Sequence, residues 1–324
     1  MRKILVTGGN GFLGSYVVKE LLKDPDNNIT ILSRTKKRKN KYNENERVKL
    51  IIADITDKKE ILSKVRNFDI IYHIAGNIRT PKTDTFKLHF NINSVGTLNL
   101  LESCRRNGIK RFIFISTCEV YGDKFNEKIT EKEGKKPSND YARSKLLAEE
   151  YCKKYAKQEH IKITVIRPSY IYGYGQYNER LFPRLIEDAL NFRNNKMKNK
   201  IAHKGNNKKT KLKPTPGGYD FVYVKDAAAG IVLLGEKEQK NDFEDFNISS
   251  GIFTTIKEIF DIVKELTGYS YDKNEIVRNR EDEKEEKRFS LNIEKAKKIG
   301  YKPKYGLKRG ISDFIKCYES NHIV

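Results

Sequence analysis

Cysteine is scarce in this chain of 324 residues, and the four present, Cys104, Cys118, Cys152 and Cys317, show neither CxxC spacing nor a histidine at metal-ligand distance. A disulfide framework and a structural metal are therefore not expected, and a reducing compartment is. No apolar run approaches the roughly 18 residues needed to span a bilayer. The opening Met-Arg-Lys leads into a short apolar run, Ile4 to Val6, that Gly8 and Gly9 break too soon for a signal-peptide core. A cytoplasmic protein with no membrane partner is expected. Acids are also outnumbered, 43 Asp and Glu against 65 Lys and Arg, for a formal charge of +22. Such an excess would suit a polyanion, but the Lys residues are scattered among Asn and Ile over the whole length. That pattern makes a solvated surface, and nucleic acid is not the expected partner.

What is present is an alternation of short β-branched runs with helical patterns. Apolar runs at residues 4–7, 29–33, 50–53, 70–75 and 111–116 are separated by amphipathic stretches at 16–22, 59–65 and 96–106. Strands joined by single helices imply right-handed crossovers and a parallel sheet covered on both faces, an α/β doubly wound (Rossmann) fold. Residues 141–155 read as a long amphipathic helix and 163–167 as a further strand closed by Pro168. Beyond Pro168 a core strand is expected at 221–224, a helix at 227–234, a strand at 246–248 and a helix at 255–266. Residues 191–213 carry nine Lys or Arg and no acid, which reads as a mobile basic loop, and residues 281–288 read as a solvated charged loop. The expected organisation is a dinucleotide-binding domain over residues 1–168, with 221–248 returning to it. A smaller C-terminal substrate lobe is expected from 169–220 and 249–324.

Val6-Thr7-Gly8-Gly9-Asn10-Gly11-Phe12-Leu13-Gly14 ends the first strand and opens the first helix. Gly8 permits a tight turn, Gly11 lets backbone approach a pyrophosphate, and Gly14 lets the helix pack close to the sheet. The helix N-terminus then offers free amide donors to the anion. A strand before and a helix after make this the context that turns a glycine cluster into a dinucleotide site. The second strand ends Ser33-Arg34, with no carboxylate for a ribose 2′-hydroxyl. Ser33 and Arg34 could hold a 2′-phosphate instead, which favours NADP over NAD. Asp54, followed by Ile55, is placed to accept from an adenine amino group.

Tyr141 and Lys145 lie four residues apart on one helix, so their side chains share a face. A nearby ammonium favours the phenolate of a tyrosine, which can then take or return a proton as hydride moves. They follow residues 112–122, a buried strand that delivers Thr117, Cys118 and Glu119 at its C-terminal end, where doubly wound sheets place ligands.

With these motifs in hand, residues 1–168 resemble the extended short-chain dehydrogenase/reductase family, the nucleotide-sugar epimerases, dehydratases and decarboxylases. The resemblance continues at residues 93–97, at Arg167-Pro168, and at 221–226, 246–251 and 295–301, and leaves only 191–213 unmatched. It implies that Thr117 orders the substrate oxygen beside Tyr141 and that Lys145 also binds the nicotinamide ribose. It implies that Asn93 steadies the active-site helix and that Ile74, Ala75, Gly76 and Pro168 border the cofactor. Asn77, Tyr170 and Arg288 fall on the substrate side, and no residue is assigned to a metal. Cys118 stands where dehydratases of the family have Asp, whereas Glu119 is kept. Tyr170 replaces a common Asn. The expectation is a homodimeric epimerase of a nucleotide-diphosphate sugar. A dehydratase or decarboxylase, an NADP-dependent reductase, and a non-catalytic nucleic-acid-binding or cofactor-sensing relative are the alternatives.

Overall fold

The computed structural model describes residues 1–35, 42, 45–80, 83–122, 128–199, 217–269 and 289–320. In chain order the large sheet begins with β1 (Arg2–Thr7), β2 (Asn27–Ser33), β3 (Val48–Ile52), β4 (Ile70–His73) and β5 (Arg111–Ile115). The two-residue β6 (Lys128–Ile129) and then β7 (Lys162–Pro168), β8 (Tyr170–Tyr172), β9 (Gly218–Tyr223), β10 (Phe243–Ile248), β11 (Phe253–Thr255) and β12 (Ser290–Leu291) follow. The helices that bear on the site are α1 (Phe12–Leu21), α2 (Lys58–Lys64), α3 (Phe86–His89), α4 (Gly96–Asn107), α5 (Asp140–Glu159), α6 (Leu181–Asn199), α7 (Val224–Glu236) and α8 (Ile256–Thr267).

Seven strands form one sheet in the order β10-β7-β5-β4-β1-β2-β3, every pair parallel. Alternate side chains divide between two cores: Ile4 and Val6 enter one, Leu5 the other. The first lies under α1 and α7, the second under α2, α4 and α5. Strand order reverses between β1 and β4, so a crevice opens beyond their C-terminal ends. The fold class expected from the alternating pattern is the one found.

Two expectations need correction. Residues 221–224 belong to no strand of the large sheet: β9 is the middle of a three-stranded sheet, β11-β9-β8, and Val224 already starts α7. The loop expected from residue 191 is helical over its first part, because α6 continues to Asn199. Phe182, Leu185, Ile186 and Ala189 make a buried stripe at helical spacing, and Phe192 meets Tyr269 edge-on at 5.8 Å. Lys and Arg are good helix formers, so a basic run alone does not end a helix. Residues 200–213 and 281–288 lie outside the described residues.

Candidate active site

The turn after β1 is built by close approach. Gly8 has φ +72°, and a Cβ there would lie 2.8 Å from the Ala75 nitrogen; one on Gly14 would lie 2.1 Å from the Gly8 carbonyl oxygen. The Gly11 amide donates to that same oxygen at 2.8 Å. Gly11 then sits at the N-cap of α1 without a side-chain cap, which leaves helix amides to be satisfied by something else. Both polar atoms of the Asn10 amide are buried without a partner among the described residues. Uncapped amides and an orphaned amide side chain fit a bound pyrophosphate. Phe12 meets Tyr16 edge-on at 6.2 Å, and Leu13 packs on the core beneath. At the end of β2 the Ser33 hydroxyl donates to the Thr35 carbonyl at 3.1 Å and Arg34 is exposed. Asp54 accepts from both the amide and the hydroxyl of Thr56, at 2.9 and 2.8 Å. Ile55 lies under α4 at Gly96, where a Cβ would come within 2.7 Å of its side chain.

The crevice is floored by a buried chain of hydrogen bonds. Thr7 and His73 pair across β1 and β4, and the Thr7 hydroxyl accepts from the Ala75 amide at 3.1 Å. Its own proton therefore points to His73 Nδ1, 2.7 Å away. His73 Nε2 faces the Thr97 hydroxyl at 2.9 Å, which donates to the Asn93 carbonyl at 2.6 Å. Burial, with the Lys145 charge second, holds the imidazole well below its ordinary pKa, so it serves as a neutral link. Asn93 sits in a π-helical turn, Phe90–Val95, ahead of α4. Its amide accepts from the Asn77 backbone at 2.7 Å and donates to Ser144 on α5 at 2.9 Å.

Helix α5 carries the two residues expected to do chemistry. Asn139 caps it by accepting from the Ala142 amide at 2.9 Å, and its own amide donates to Glu119 at 2.9 Å. Lys145, 4% exposed, donates to the Ile115 carbonyl at 2.8 Å, and its amine is lowered to about 8 by burial. A Cβ on Gly76 would stand 3.2 Å from the Lys145 nitrogen, so that position keeps backbone close to the amine. The Tyr141 hydroxyl is pushed above its ordinary pKa by burial and then by the Glu119 charge, against a hydrogen bond to Thr117 that lowers it. Cys118 is 2% exposed, and burial raises its thiol well above the usual range.

Gly8, Ala75, Gly76, Asn77, Asn93, Thr117, Glu119, Tyr141 and Lys145 are thus joined in one connected region. Tyr170 belongs to an aromatic group of the small sheet, 4.4 Å from Tyr219 and 6.2 Å from Phe289. Pro168 ends β7 opposite Ile248, and Arg288 lies outside the described residues. Sequence reasoning passed over His73, His89, Ser144, Asn139 and Glu149, which act through other residues. Spacing gives no signal for contacts between strands and helices far apart in the chain. A buried set behind the site ties these elements together. Glu149 accepts from Ser116 at 2.6 Å and from Arg167 through two bonds of 2.9 Å, and Arg167 also donates to Tyr121 at 2.9 Å.

Comparison with known proteins identifies the family. A protein called a putative UDP-glucose 4-epimerase in Methanocaldococcus jannaschii is 31% identical over 98% of this chain and 99% of its own length. The dTDP-D-glucose 4,6-dehydratase of Mus musculus is 26% identical over 99% of this chain and 89% of its own. Among solved structures, a UDP-glucuronic acid 4-epimerase from Bacillus cereus in complex with NAD superimposes with a TM-score of 0.79 at 27% identity, covering 98% of this chain and 99% of that one. Residues 4–249 match the NAD dependent epimerase/dehydratase family, and with a relative of such identity spanning nearly the whole chain, this protein belongs to that family, within the extended short-chain dehydrogenase/reductases.

Proposed function

We propose that this enzyme is a 4-epimerase of a nucleoside diphosphate sugar. The observation that carries the choice is Cys118. Where dehydratases of the family place a second acid beside Thr117 and Glu119, this chain has a buried thiol whose proton is held tightly. A site with hydride and proton chemistry but no such acid supports oxidation and return at one carbon better than loss of water.

A nicotinamide dinucleotide, when bound, supplies the hydride acceptor and donor. The Gly8–Gly14 turn, the uncapped start of α1 and the Asn10 amide would hold its pyrophosphate, with Asp54 and Ile55 toward the adenine. Ile74, Ala75, Gly76 and Pro168 would border it. Tyr141 takes the proton of the sugar hydroxyl as that carbon is oxidised and returns it afterwards. Lys145 favours the phenolate by its charge and would bind the ribose hydroxyls of the dinucleotide, and Thr117 would hold the sugar oxygen in line. Asn77 and Tyr170 face the sugar-nucleotide side. Glu119, kept while the neighbouring acid is lost, favours a dehydratase as the second reading.

Arg34 is exposed at the end of β2, where the sequence reads Ser33-Arg34 with no acid, which supports NADP over NAD. Four thiols without a disulfide among the described residues suit the cytoplasm. Helices α4 and α5, linked by the Tyr155 hydroxyl donating to Glu102 at 3.1 Å, offer a surface for a homodimer.

Denaturing the purified protein and identifying released nucleotide by mass spectrometry tests the reading. Near-stoichiometric NAD or NADP is expected of an enzyme that regenerates its own cofactor, and the species found decides the Arg34 question. An empty protein that consumes NADPH stoichiometrically with a keto-substrate would make it a reductase instead.

A further inference from the structure

His89, the last residue of α3, is fully buried and uses both ring nitrogens. The Asn77 side-chain nitrogen lies 2.8 Å from the Thr83 carbonyl and 3.0 Å from His89 Nδ1. Only the nitrogen end of the amide can face a carbonyl, so its second N–H donates to Nδ1. That leaves Nε2 as the protonated nitrogen, and it donates to Asp84 at 3.0 Å. The ring edge meets Tyr141, with centroids 5.7 Å apart and planes at 62°. Asn77 is also locked through its backbone: its amide donates to Asn93, and Asn93 donates back to its carbonyl at 3.1 Å. Asp84 takes a second bond, from Arg79 at 3.3 Å.

We propose that His89 is a positioning residue for the epimerisation. It bridges Asn77 and Asp84, closes the segment that leads from Gly76 toward the substrate, and sets the Tyr141 ring from the side. Among the described residues, the two N–H groups of the Asn77 side chain reach the Thr83 carbonyl and His89 Nδ1. Loss of the imidazole therefore takes away the partner of one N–H of the half-buried Asn77 side chain, and the segment shifts to satisfy it. The inference rests on Tyr141 as the proton carrier.

Two substitutions separate the bridge from simple filling of space. H89F keeps a ring against Tyr141 but offers Asn77 and Asp84 no partner. H89Q offers an oxygen to Asn77 and an N–H to Asp84 without a ring. With the purified enzyme and its sugar nucleotide, H89F is expected to lose about tenfold or more in kcat while dinucleotide affinity stays within about twofold, and H89Q to recover to within about threefold of the parent. Wild-type kcat in H89F, or an equal loss in both variants with a matching fall in thermal midpoint, overturns the proposal. Nitrogen NMR of histidine-labelled protein, with H89Q to assign the signal, reads the bridge without turnover. The Nε2–H tautomer is expected, and a protonated Nδ1 overturns the bridge whatever the activity. If no sugar nucleotide is turned over while the Nε2–H tautomer is seen, the epimerase reading fails and the bridge does not.

Discussion

The Lys145 amine donates to the Ile115 carbonyl at 2.8 Å and sits 4.9 Å from the Phe114 ring centroid, in a site that disfavours its charge. Its folded pKa of about 8 lies below the ordinary 10.5, so the unfolded chain holds the extra proton between those values. Stability therefore rises with pH across that window, and the penalty is full below it. K145M is expected to stabilise the protein without cofactor at about pH 7 by up to about 3 kcal/mol, less about 1 kcal/mol for the lost hydrogen bond. Activity should fall by about a hundredfold or more. Urea denaturation at about pH 7 and about pH 10.5 checks this: the difference should shrink at the higher pH, and a variant less stable at both would contradict it.

Glu119 raises the Tyr141 hydroxyl, so removing its charge should lower that pKa. In E119Q the pH at which kcat rises is expected to move to lower pH, with the epimer still formed. An unmoved pH profile would detach Glu119 from Tyr141. Product formation that stops while substrate-dependent cofactor reduction continues would favour the dehydratase reading.

Glu149 and Arg167 are fully buried and joined by two hydrogen bonds, and they connect α5 to β7 behind Tyr141 and Lys145. Removing the Glu149 carboxylate leaves the buried Arg167 guanidinium with Asp245, at 2.9 Å, as its remaining acidic partner, so E149L is expected to cost about 3 kcal/mol. The double variant E149L/R167M should recover much of that, since Asp245 retains Lys295 at 3.0 Å. Equal losses in single and double variants, measured by chemical denaturation, would mean that the pair is not the source.

A Cβ on Gly11 would stand 3.1 Å from the Gly8 carbonyl oxygen, tight but not prohibitive. G11A is thus expected to fold and to bind dinucleotide about tenfold more weakly, as the turn opens to relieve the contact. Calorimetric titration with NADPH and NADH measures it, and unchanged affinity would contradict the assignment of the turn.

Much of this was legible in the sequence because the signals are local. Gly8 to Gly14 announce the turn, and Tyr141 and Lys145 announce a shared helix face by spacing alone. The β-branched runs announce a sheet buried on both faces. What was not legible depends on pairing across the fold. Nothing near residue 221 says that β9 joins the small sheet, because a short apolar strand reads alike in either. The basic residues after Asn191 hid the last turns of α6, whose apolar stripe begins earlier. His73 and His89 look like isolated histidines until β4, α3 and α5 are brought together.

The most direct test of the central reading is to incubate the purified enzyme, without added reductant, with UDP-glucose, UDP-glucuronate and dTDP-glucose, and to follow the sugar by proton NMR. The expected result is a 4-epimer of one of them, formed with no net change in NAD(P)H and lost in Y141F. A 4-keto-6-deoxy product, or no conversion of any nucleotide sugar by an enzyme loaded with cofactor, would contradict it.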